Sequence, residues 1–465
     1  GPLTWSGKGY FKDRNGNYIT IDHSEYGQLT KVTDTLGREI NVNYSEDLYP
    51  TSITQDWKTD NGSGLGITHT WATFTYTTKT VATDFDGVTN VGPANDTVIK
   101  VLEKVTYPDD SYTKFHYNGY IQVWKIENFA ANNDLLNHVR TNLESPAADQ
   151  TDSPKFTATW NKAANFNSGN EIKINNSLTT SQSVTLPGSL PNTSGTKIEV
   201  WMDGHPYDAV TKTIVGASGW QEGLTLATEE HADNIEGGSN ARQRWTWNEW
   251  TQDDTGSADI LNPRITETRV GDSTNTKKTE IDYLLYPSTT VSKFGLVSEV
   301  RVYDSNLATI LKKVQTDYNL DSAYVNRRII GLPDETRLKD ENDNLWSKVT
   351  YDYDEEDFQE ETNQIISPIR HDTTNYGSSF IVGRGNRTSV TRHDVLTQSS
   401  AVTSRTRYDI AGSVVAKLDP LERKVRLEYT DVFNDTGTSR NTFAYPTKVY
   451  DPLGNYSQVK YRFDI

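Results

Sequence analysis

An 18-residue repeat constrains this chain more than any single residue does. Residues 27–44 align without gaps on residues 412–429, and residues 444–461 fit the same frame. Asp stands at the eighth position, Leu at the tenth and Tyr at the eighteenth in all three copies. Each copy alternates polar and apolar residues, turns at Asp with Gly or Pro, and alternates again, which predicts a β-hairpin. Because lone hairpins are barely stable, they are expected to stack into a larger sheet.

Looser copies occupy residues 101–117, 295–318, 331–353 and 385–408. Their period of about 18 to 24 residues is too short for a four-stranded propeller blade, so each repeat is predicted to be one hairpin. The residues that define the repeat are Gly27, Asp34, Gly37, Tyr44, Tyr117, Tyr318, Tyr353, Tyr408, Gly412, Asp419, Tyr429, Asp451, Gly454 and Tyr461.

These motifs resemble the YD repeats of the RHS family. The residues concerned are the Gly-x-Leu strand at 27–29, the Asp-x-x-Gly turns at 34–37 and 451–454, and the Tyr-Asp pairs at 351–352 and 408–409. The resemblance covers residues 10–120 and 262–465 well and residues 121–261 poorly. Family members include bacterial RHS-repeat proteins, the toxin-complex C component, wall-associated proteins and teneurin-like shells. The resemblance implies an all-β fold, in which stacked antiparallel hairpins form a spiral sheet or a partial hollow shell.

Composition fits thin sheets better than a thick apolar core. Hydrophobic residues make up 34% of the chain, yet it contains 25 Tyr and 11 Trp, which suit sheet faces. The net charge of −17 disfavours nucleic-acid binding through phosphate. The absence of cysteine excludes disulfides, thiol catalysis and Cys-based zinc sites. No apolar run approaches the length that spans a membrane, so no membrane insertion is expected.

Three parts are predicted along the chain. Hairpin repeats are expected over residues 1–127 and 197–465, separated by a divergent Ser/Thr/Asn-rich segment at 128–196. Two interpretations of that segment stay open, namely a β-sandwich-like insert and long hairpins within the same spiral. Residues 134–143 have helical spacing and predict a short helix. We interpret Gly1 and Pro2 as the remnant of a protease cut, so the chain is expected to be an excised fragment of a longer protein.

The densest group of tryptophans is the candidate binding site. Exposed aromatic rings among Asn, Gln and Asp residues are suited to stacking on sugars. The competing interpretation is that the rings two residues apart share one strand face and pack against a neighbouring layer. The residues concerned are Trp220, Trp245, Trp247 and Trp250.

Acidic residues cluster at 352–357 and in the turn at 340–343. Carboxylates can hold Ca²⁺, but neither cluster matches a calcium loop, so solvated turn charge is the favoured interpretation and calcium the one cofactor considered. The eight histidines have no metal-binding pair spacing, and no nucleophile elbow, phosphate loop or dinucleotide fingerprint occurs. No catalytic or metal-binding residue is therefore predicted.

Three functions follow in order of preference. The first is a structural scaffold, a segment of a YD-repeat shell that encloses or displays another part of a larger bacterial polypeptide. Its partners would be the remaining repeats and a passenger domain. The second is a cell-surface module that binds glycan or protein through exposed Trp and Tyr, and the third is a polysaccharide-acting enzyme. We expect the protein to be secreted or at the surface of a bacterium, after a cytoplasmic stage before export.

Overall fold

The protein is built almost entirely of β-strands. The computed structural model describes residues 8–57, 67–83, 92–144, 158–163, 171–184, 193–203, 209–216, 218–232, 241–272, 274–355, 370–396, 400–429 and 445–459. Within these ranges the helical elements are the single turns Ser322–Val325 (α1) and Thr373–Tyr376 (α2) and a 3-10 turn at Gly219–Gln221. The predicted all-β class of hairpins is confirmed.

The strands follow one another along the chain with mostly short turns between them. In order they are β1 (Lys8–Lys12), β2 (Tyr18–His23), β3 (Leu29–Thr33), β4 (Glu39–Tyr44), β5 (Pro50–Trp57), β6 (Ile67–Thr80), β7 (Val98–Thr106), β8 (Tyr112–Tyr117), β9 (Val123–Phe129), β10 (Leu135–Thr141), β11 (Ala158–Ala163), β12 (Ile172–Val184), β13 (Thr193–Asp203), β14 (Ala209–Val215), β15 (Thr225–Ala232), β16 (Ala241–Thr251), β17 (Arg264–Gly271), β18 (Thr276–Leu285), β19 (Ser292–Tyr303), β20 (Ile310–Tyr318), β21 (Pro333–Lys339), β22 (Leu345–Tyr353), β23 (Arg387–His393), β24 (Ala401–Tyr408), β25 (Val414–Leu418), β26 (Lys424–Glu428), β27 (Lys448–Tyr450) and β28 (Tyr456–Gln458).

Two compact units divide the chain. Unit 1 comprises residues 1–71 and 312–465, and unit 2 comprises residues 72–311. In unit 2 each strand from β6 to β19 pairs antiparallel with the next strand in chain order. In unit 1 the same holds from β1 to β5 and from β20 to β28. The boundaries expected at residues 127 and 196 are not tested by this division and stay a prediction.

The helix predicted for residues 134–143 is wrong, because residues 135–141 form strand β10. This strand pairs with β9 on one side and β11 on the other. His138 on β10 is buried and its Nε2 lies 2.7 Å from Oε1 of Glu171. A seven-residue segment makes too few helical hydrogen bonds to be stable alone, so cross-strand pairing decides its structure. Strands β10 to β14 pair in chain order, as long hairpins in one sheet do.

An aspartate closes the repeat turns in a constant way. Oδ1 of Asp34 accepts hydrogen bonds from the backbone N–H groups of Leu36 and Arg38, each at 2.9 Å. Asp419 and Asp451 bind the residues two and four positions on in the same manner. The short side chain thus satisfies backbone donors that the tight turn leaves without a ladder partner.

The fourth residue of these turns has a left-handed backbone. Its φ is 80° at Gly37, 81° at Gly412 and 88° at Gly454, whereas Glu422 holds the position in one repeat with a φ of 59°. Glycine suits this conformation because it has no Cβ to clash with the neighbouring carbonyl oxygen. The repeat therefore prefers Gly here for a backbone reason.

Six of the tyrosines that close a repeat lie at β-bulges. A bulge adds one residue to a strand, raises its twist and bends it. The pairing register shifts beside Tyr44, Tyr117, Tyr283, Tyr318, Tyr353 and Tyr408.

The closing tyrosine also ties the two strands of its hairpin together. The Tyr44 hydroxyl donates to the carbonyl oxygen of Leu29 at 2.9 Å, and Tyr429 donates to Val414 at 2.9 Å. Burial raises the pKa of Tyr429 to about 12, so its phenol stays a donor near neutral pH. Tyr283 makes the same bond although the sequence did not single it out, and Tyr461 lies outside the described residues. Tyr117, Tyr353 and Tyr408 also make this bond.

Candidate functional site

Arg384 lies at the centre of a buried polar cluster in unit 1. Its side chain is fully buried, at 0% exposure. It is carried by the segment between α2 and β23, where Gly383 and Gly385 on either side have φ values of 98° and 69°. Both glycines adopt left-handed conformations that would strain a residue with a Cβ, so this turn requires glycine on both sides of the arginine.

All five N–H donors of the Arg384 guanidinium bind main-chain carbonyl oxygens. The oxygens come from three stretches of unit 1, namely the segment 376–380, the turn between β1 and β2, and the turn between β24 and β25. The arginine therefore joins parts of the chain that are far apart in sequence. The acceptors are Asn15, Tyr376, Gly377, Phe380 and Ile410, at 2.5 to 3.1 Å.

His371 supports the same two turns. Its Nε2 donates to the carbonyl oxygen of Asn15 at 2.9 Å and of Ile410 at 3.1 Å, the oxygens that Arg384 also binds. Burial lowers the pKa of His371, so the ring is neutral at neutral pH. A neutral ring beside a guanidinium avoids repulsion between two buried cations.

Asp354 binds the backbone of the arginine turn. Its Oδ2 accepts the N–H groups of residues 383, 384 and 385 at 3.1, 2.8 and 2.7 Å, and its Oδ1 accepts that of Asn386 at 2.9 Å. The prediction of solvated turn charge is therefore wrong for Asp354, which is 3% exposed. Four N–H donors replace the water that this carboxylate loses. Residues 356 and 357 of the same acidic cluster lie outside the described residues.

These contacts define a structural device that we call the arginine clasp, formed by Arg384, Asp354, His371 and Asn15. The guanidinium and the Asp354 carboxylate are oppositely charged, yet each makes its hydrogen bonds to backbone groups. Hydrogen bonds to charged groups are stronger than neutral ones, so the clasp can hold three backbone segments in one arrangement.

Sequence reasoning missed the clasp. The Gly-Arg-Gly sequence at 383–385 was the one local signal, because glycines that flank an arginine indicate an unusual backbone. Arg384 and Asn15 are 369 residues apart, and such a contact leaves no mark in a local pattern.

Two of the four predicted glycan-stacking tryptophans are buried in unit 2. Trp245 is 1% exposed and Trp247 is 7% exposed, and both pack with Ile214 and Ala227. Trp245 lies opposite Gly271, where a Cβ would come within 2.4 Å of the indole ring. The faces of these two rings are therefore occupied by protein and not presented to a sugar.

The other two tryptophans are half-buried. The Nε1 of Trp250 donates to the carbonyl oxygen of Thr225 at 2.9 Å, which fixes one edge of the ring. Glycan stacking by Trp220 or Trp250 stays a prediction.

A concavity of about 560 Å³ lies in unit 2 at the ends of β16, β17 and β18. Its walls are residues 251–255, 264, 266, 281–283, 285 and 290. The Arg264 guanidinium in this wall binds Oδ1 of Asp253 at 2.6 Å, and Asp253 also accepts the N–H of Ser292 at 2.9 Å. These polar groups bind one another and so build the wall itself.

Metal and membrane features can be assessed in the described part of the chain. Among those residues, no three His, Cys, Asp or Glu side chains are grouped to hold a metal ion. Binding of calcium stays a prediction. In the same residues, no helix has the length and apolar character needed to cross a membrane.

Solved toxin-complex structures are similar to this chain at low sequence identity. A crystal structure of TcdB2-TccC3 without the hypervariable C-terminal region has 10% identity and a TM-score of 0.37, and the match covers 97% of this chain and 29% of that one. A crystal structure of TcdB2-TccC3-Cdc42 has 9% identity and a TM-score of 0.33, with 97% and 25% covered. The Photorhabdus luminescens Tc holotoxin pore with a TccC3-D651A mutation has 8% identity and a TM-score of 0.20, with 91% and 22% covered.

The chain spans less than a third of the length of these three structures. No family model matches it, and no curated protein matches it. Membership of the RHS family therefore stays a prediction that rests on the repeat motifs.

Proposed function

We propose that this chain is part of the wall of a YD-repeat shell that encloses another part of a larger bacterial polypeptide. The observation that carries the proposal is the β-bulge at the closing tyrosines, which recurs in both units. Bulges bend a sheet, so a sheet with a bulge at the end of many hairpins curves again and again. A sheet that curves in this way is suited to surround a volume.

The faces of two strands, one in each unit, support the same role. Every residue of β26 is half-buried, and so is every residue of β17 except the last. Neither strand therefore has one buried face and one solvent-exposed face. A sheet packed on a thick core would instead alternate buried and exposed residues. Thin walls exposed on both faces give this pattern.

Paired charges take the place of apolar packing on part of unit 2. Arg301 on β19 binds Glu280 on the neighbouring strand at 3.0 Å, and Lys278 binds the same carboxylate at 2.7 Å. Burial opposes the ionisation of Glu280, but hydrogen bonds from Lys278, Tyr303 and Arg301 outweigh it and hold its pKa at about 2. The glutamate is therefore ionised near neutral pH, and the sheet face carries a charge network that tolerates water.

The proposal implies partners and a location. The partners are further repeats and an enclosed passenger segment of the same polypeptide. The polypeptide would be made in the cytoplasm of a bacterium and then exported or held at the cell surface. The second function predicted from the sequence is recognition of glycan or of a cell-surface protein. The burial of Trp245 and Trp247 argues against a role of these two residues in such binding.

Protease protection of the passenger tests enclosure. The natural polypeptide that contains these repeats would be digested with a nonspecific protease, beside the isolated passenger segment. We expect the enclosed passenger to survive at least about tenfold longer than the isolated one, because a protease reaches a substrate only in its open state. Equal digestion rates would overturn enclosure and favour display on the outside.

A further inference from the structure

Five repeat turns share one side-chain arrangement, which the turn at Asp409 keeps only in part. In five turns the aspartate uses Oδ1 for two backbone N–H groups and Oδ2 for the side chain of the residue four positions on, an Asn or an Arg. Both carboxylate oxygens are thereby bound. The five aspartates are Asp13, Asp34, Asp340, Asp419 and Asp451.

Asp409 departs from this arrangement at one oxygen. Its Oδ1 accepts the N–H groups of Ala411 at 3.0 Å and Ser413 at 2.9 Å, as in the other turns. The residue four positions on is Ser413, whose side chain is much shorter than Asn or Arg. Oδ2 of Asp409 is buried and has no hydrogen-bond partner among the residues that the structure describes, and the residue is 3% exposed. An ionised carboxylate oxygen in that position would have no hydrogen bond to replace those that it makes to water in the unfolded chain.

Among the described residues, Asp409 makes no ion pair. The charge of Arg384 acts on it, but all five guanidinium donors are bound to carbonyl oxygens. Tyr429, whose pKa Asp409 affects, gives its hydroxyl hydrogen to Val414. Apolar packing comes from Ala411, Val415 and Tyr429. The other titratable groups that act on Arg384 or share its carbonyl partners are Asp13, Arg327, Asp354 and His371.

We propose that Asp409 is a proton-binding site, and that the arginine clasp closes more firmly when its Oδ2 carries a proton. Burial, offset in part by the N–H groups of Ser413, Ala411 and Gly412 and by the Arg384 charge, raises the pKa of Asp409 from its ordinary 3.8 to about 7. Protonation removes a buried charge and leaves the Oδ1 bonds in place. The device is a pH-sensitive joint between the turn at 409–412 and the turn at 13–17, because Arg384 and His371 bind both turns.

The direction of the pH effect follows from proton counting. The folded chain keeps the proton up to about pH 7, whereas the unfolded chain loses it near pH 4. Between these values the folded state binds more protons at Asp409, so the contribution of this residue to the free energy of unfolding falls as the pH rises from about 4 to about 7 and then stays level. The difference between the folded and unfolded pKa values corresponds to a change of at most about a thousandfold in the unfolding equilibrium constant.

The substitution Asp409→Asn tests the site in the full chain. Asn118 accepts the N–H groups of Tyr120 and Gln122 at 3.0 Å in an equivalent turn, so asparagine fits this geometry. Thermal unfolding would be followed from about pH 5 to pH 8.5 in wild type, Asp409→Asn and the matched control Asp419→Asn. We expect the wild-type melting temperature to fall relative to Asp409→Asn as the pH rises, while Asp419→Asn runs parallel to wild type. A wild-type to Asp409→Asn difference that does not change with pH would overturn the proposal.

The wild-type chain alone provides a second measurement. Carboxyl-carbon NMR of aspartate-labelled protein should show one resonance that titrates with a midpoint near pH 7, and Asp409→Ser should remove it. Spectra in which every aspartate titrates below about pH 5 would overturn the proposal even if Asp409→Asn did not fold.

Discussion

At the residue scale, the repeat is governed by backbone geometry. Gly454 has a φ of 88° and a Cβ there would meet no atom within 4 Å, so its conformation is the reason for glycine. Glu422 occupies the same turn position with a φ of 59°. A residue with a Cβ is disfavoured in this region by about 1 kcal/mol or more. Glu422 is thus less favourable than glycine for the backbone conformation of this turn position.

Glu422→Gly should raise the free energy of unfolding by about 0.5–1 kcal/mol. The substitution relieves backbone strain and removes the ion pair between Glu422 and Arg405. These side chains are 62% and 44% exposed, so the ion pair contributes little to stability. Chemical denaturation of the full chain measures the change. The matched substitution Gly454→Ala should lower stability by about 1 kcal/mol through the same strain. A loss of stability in Glu422→Gly would show that the ion pair outweighs the backbone.

At the element scale, each hairpin is fixed at both ends. The turn aspartate binds backbone donors at the tip, and the closing tyrosine binds a carbonyl oxygen at the base, as Asp34 and Tyr44 do in one repeat. The bulge at Tyr44 lies at the same end of the hairpin as its hydroxyl bond. Tip and base contacts are local, which explains how one hairpin can be a repeating unit.

Tyr44→Phe should lower the free energy of unfolding by about 1–2 kcal/mol. The Leu29 carbonyl oxygen loses a half-buried donor, while the ring keeps its packing. Tyr456→Phe is the matched control, since Tyr456 is 58% exposed, and it should change stability by less than about 0.5 kcal/mol. Urea unfolding of both variants measures the difference. Equal effects would mean that the hydroxyl bond contributes nothing specific to the repeat.

The sequence predicted the parts of the fold whose contacts are local. Asp34, Gly37 and Tyr44 act within 18 residues of one another, so their spacing reveals their roles. The segment at 134–143 was mispredicted because its pairing with β9 and β11 outweighs its own periodicity. The clasp could not be foreseen, since Arg384 meets partners that only the folded chain brings near.

At the scale of the whole molecule, unit 1 combines the first 71 residues with residues from 312 onward. The arginine clasp lies inside this unit and binds both parts, since Asn15 comes from the first and Arg384 from the second. The bridge between Asn17 and His371 adds a second connection between them. Strand pairing in chain order would not by itself bring these parts together.

Arg384→Lys should lower the stability of unit 1 by about 3–5 kcal/mol. Lysine has three donors, so at least two of the five hydrogen bonds to carbonyl oxygens would be lost, and its shorter reach makes further losses. Arg405→Lys is the control, because that side chain is 44% exposed and should tolerate the change within about 0.5 kcal/mol. Denaturant unfolding with hydrogen exchange on residues 383–386 would locate the effect. Equal losses in the two variants would contradict a special role for the clasp.

The closing tyrosine has a consequence for how the repeats diverge. Its hydroxyl bond spans 15 residues at Tyr44, Tyr117 and Tyr429, but 18, 20 and 21 residues at Tyr283, Tyr353 and Tyr408. The bond is kept in all six, and the bulge is kept at Tyr44, Tyr117, Tyr283, Tyr353 and Tyr408, while the hairpin above them grows. The length of the hairpin tip and the position of the bend are therefore set by different contacts. The tips can lengthen and change in sequence while the bend at the base of the hairpin stays the same.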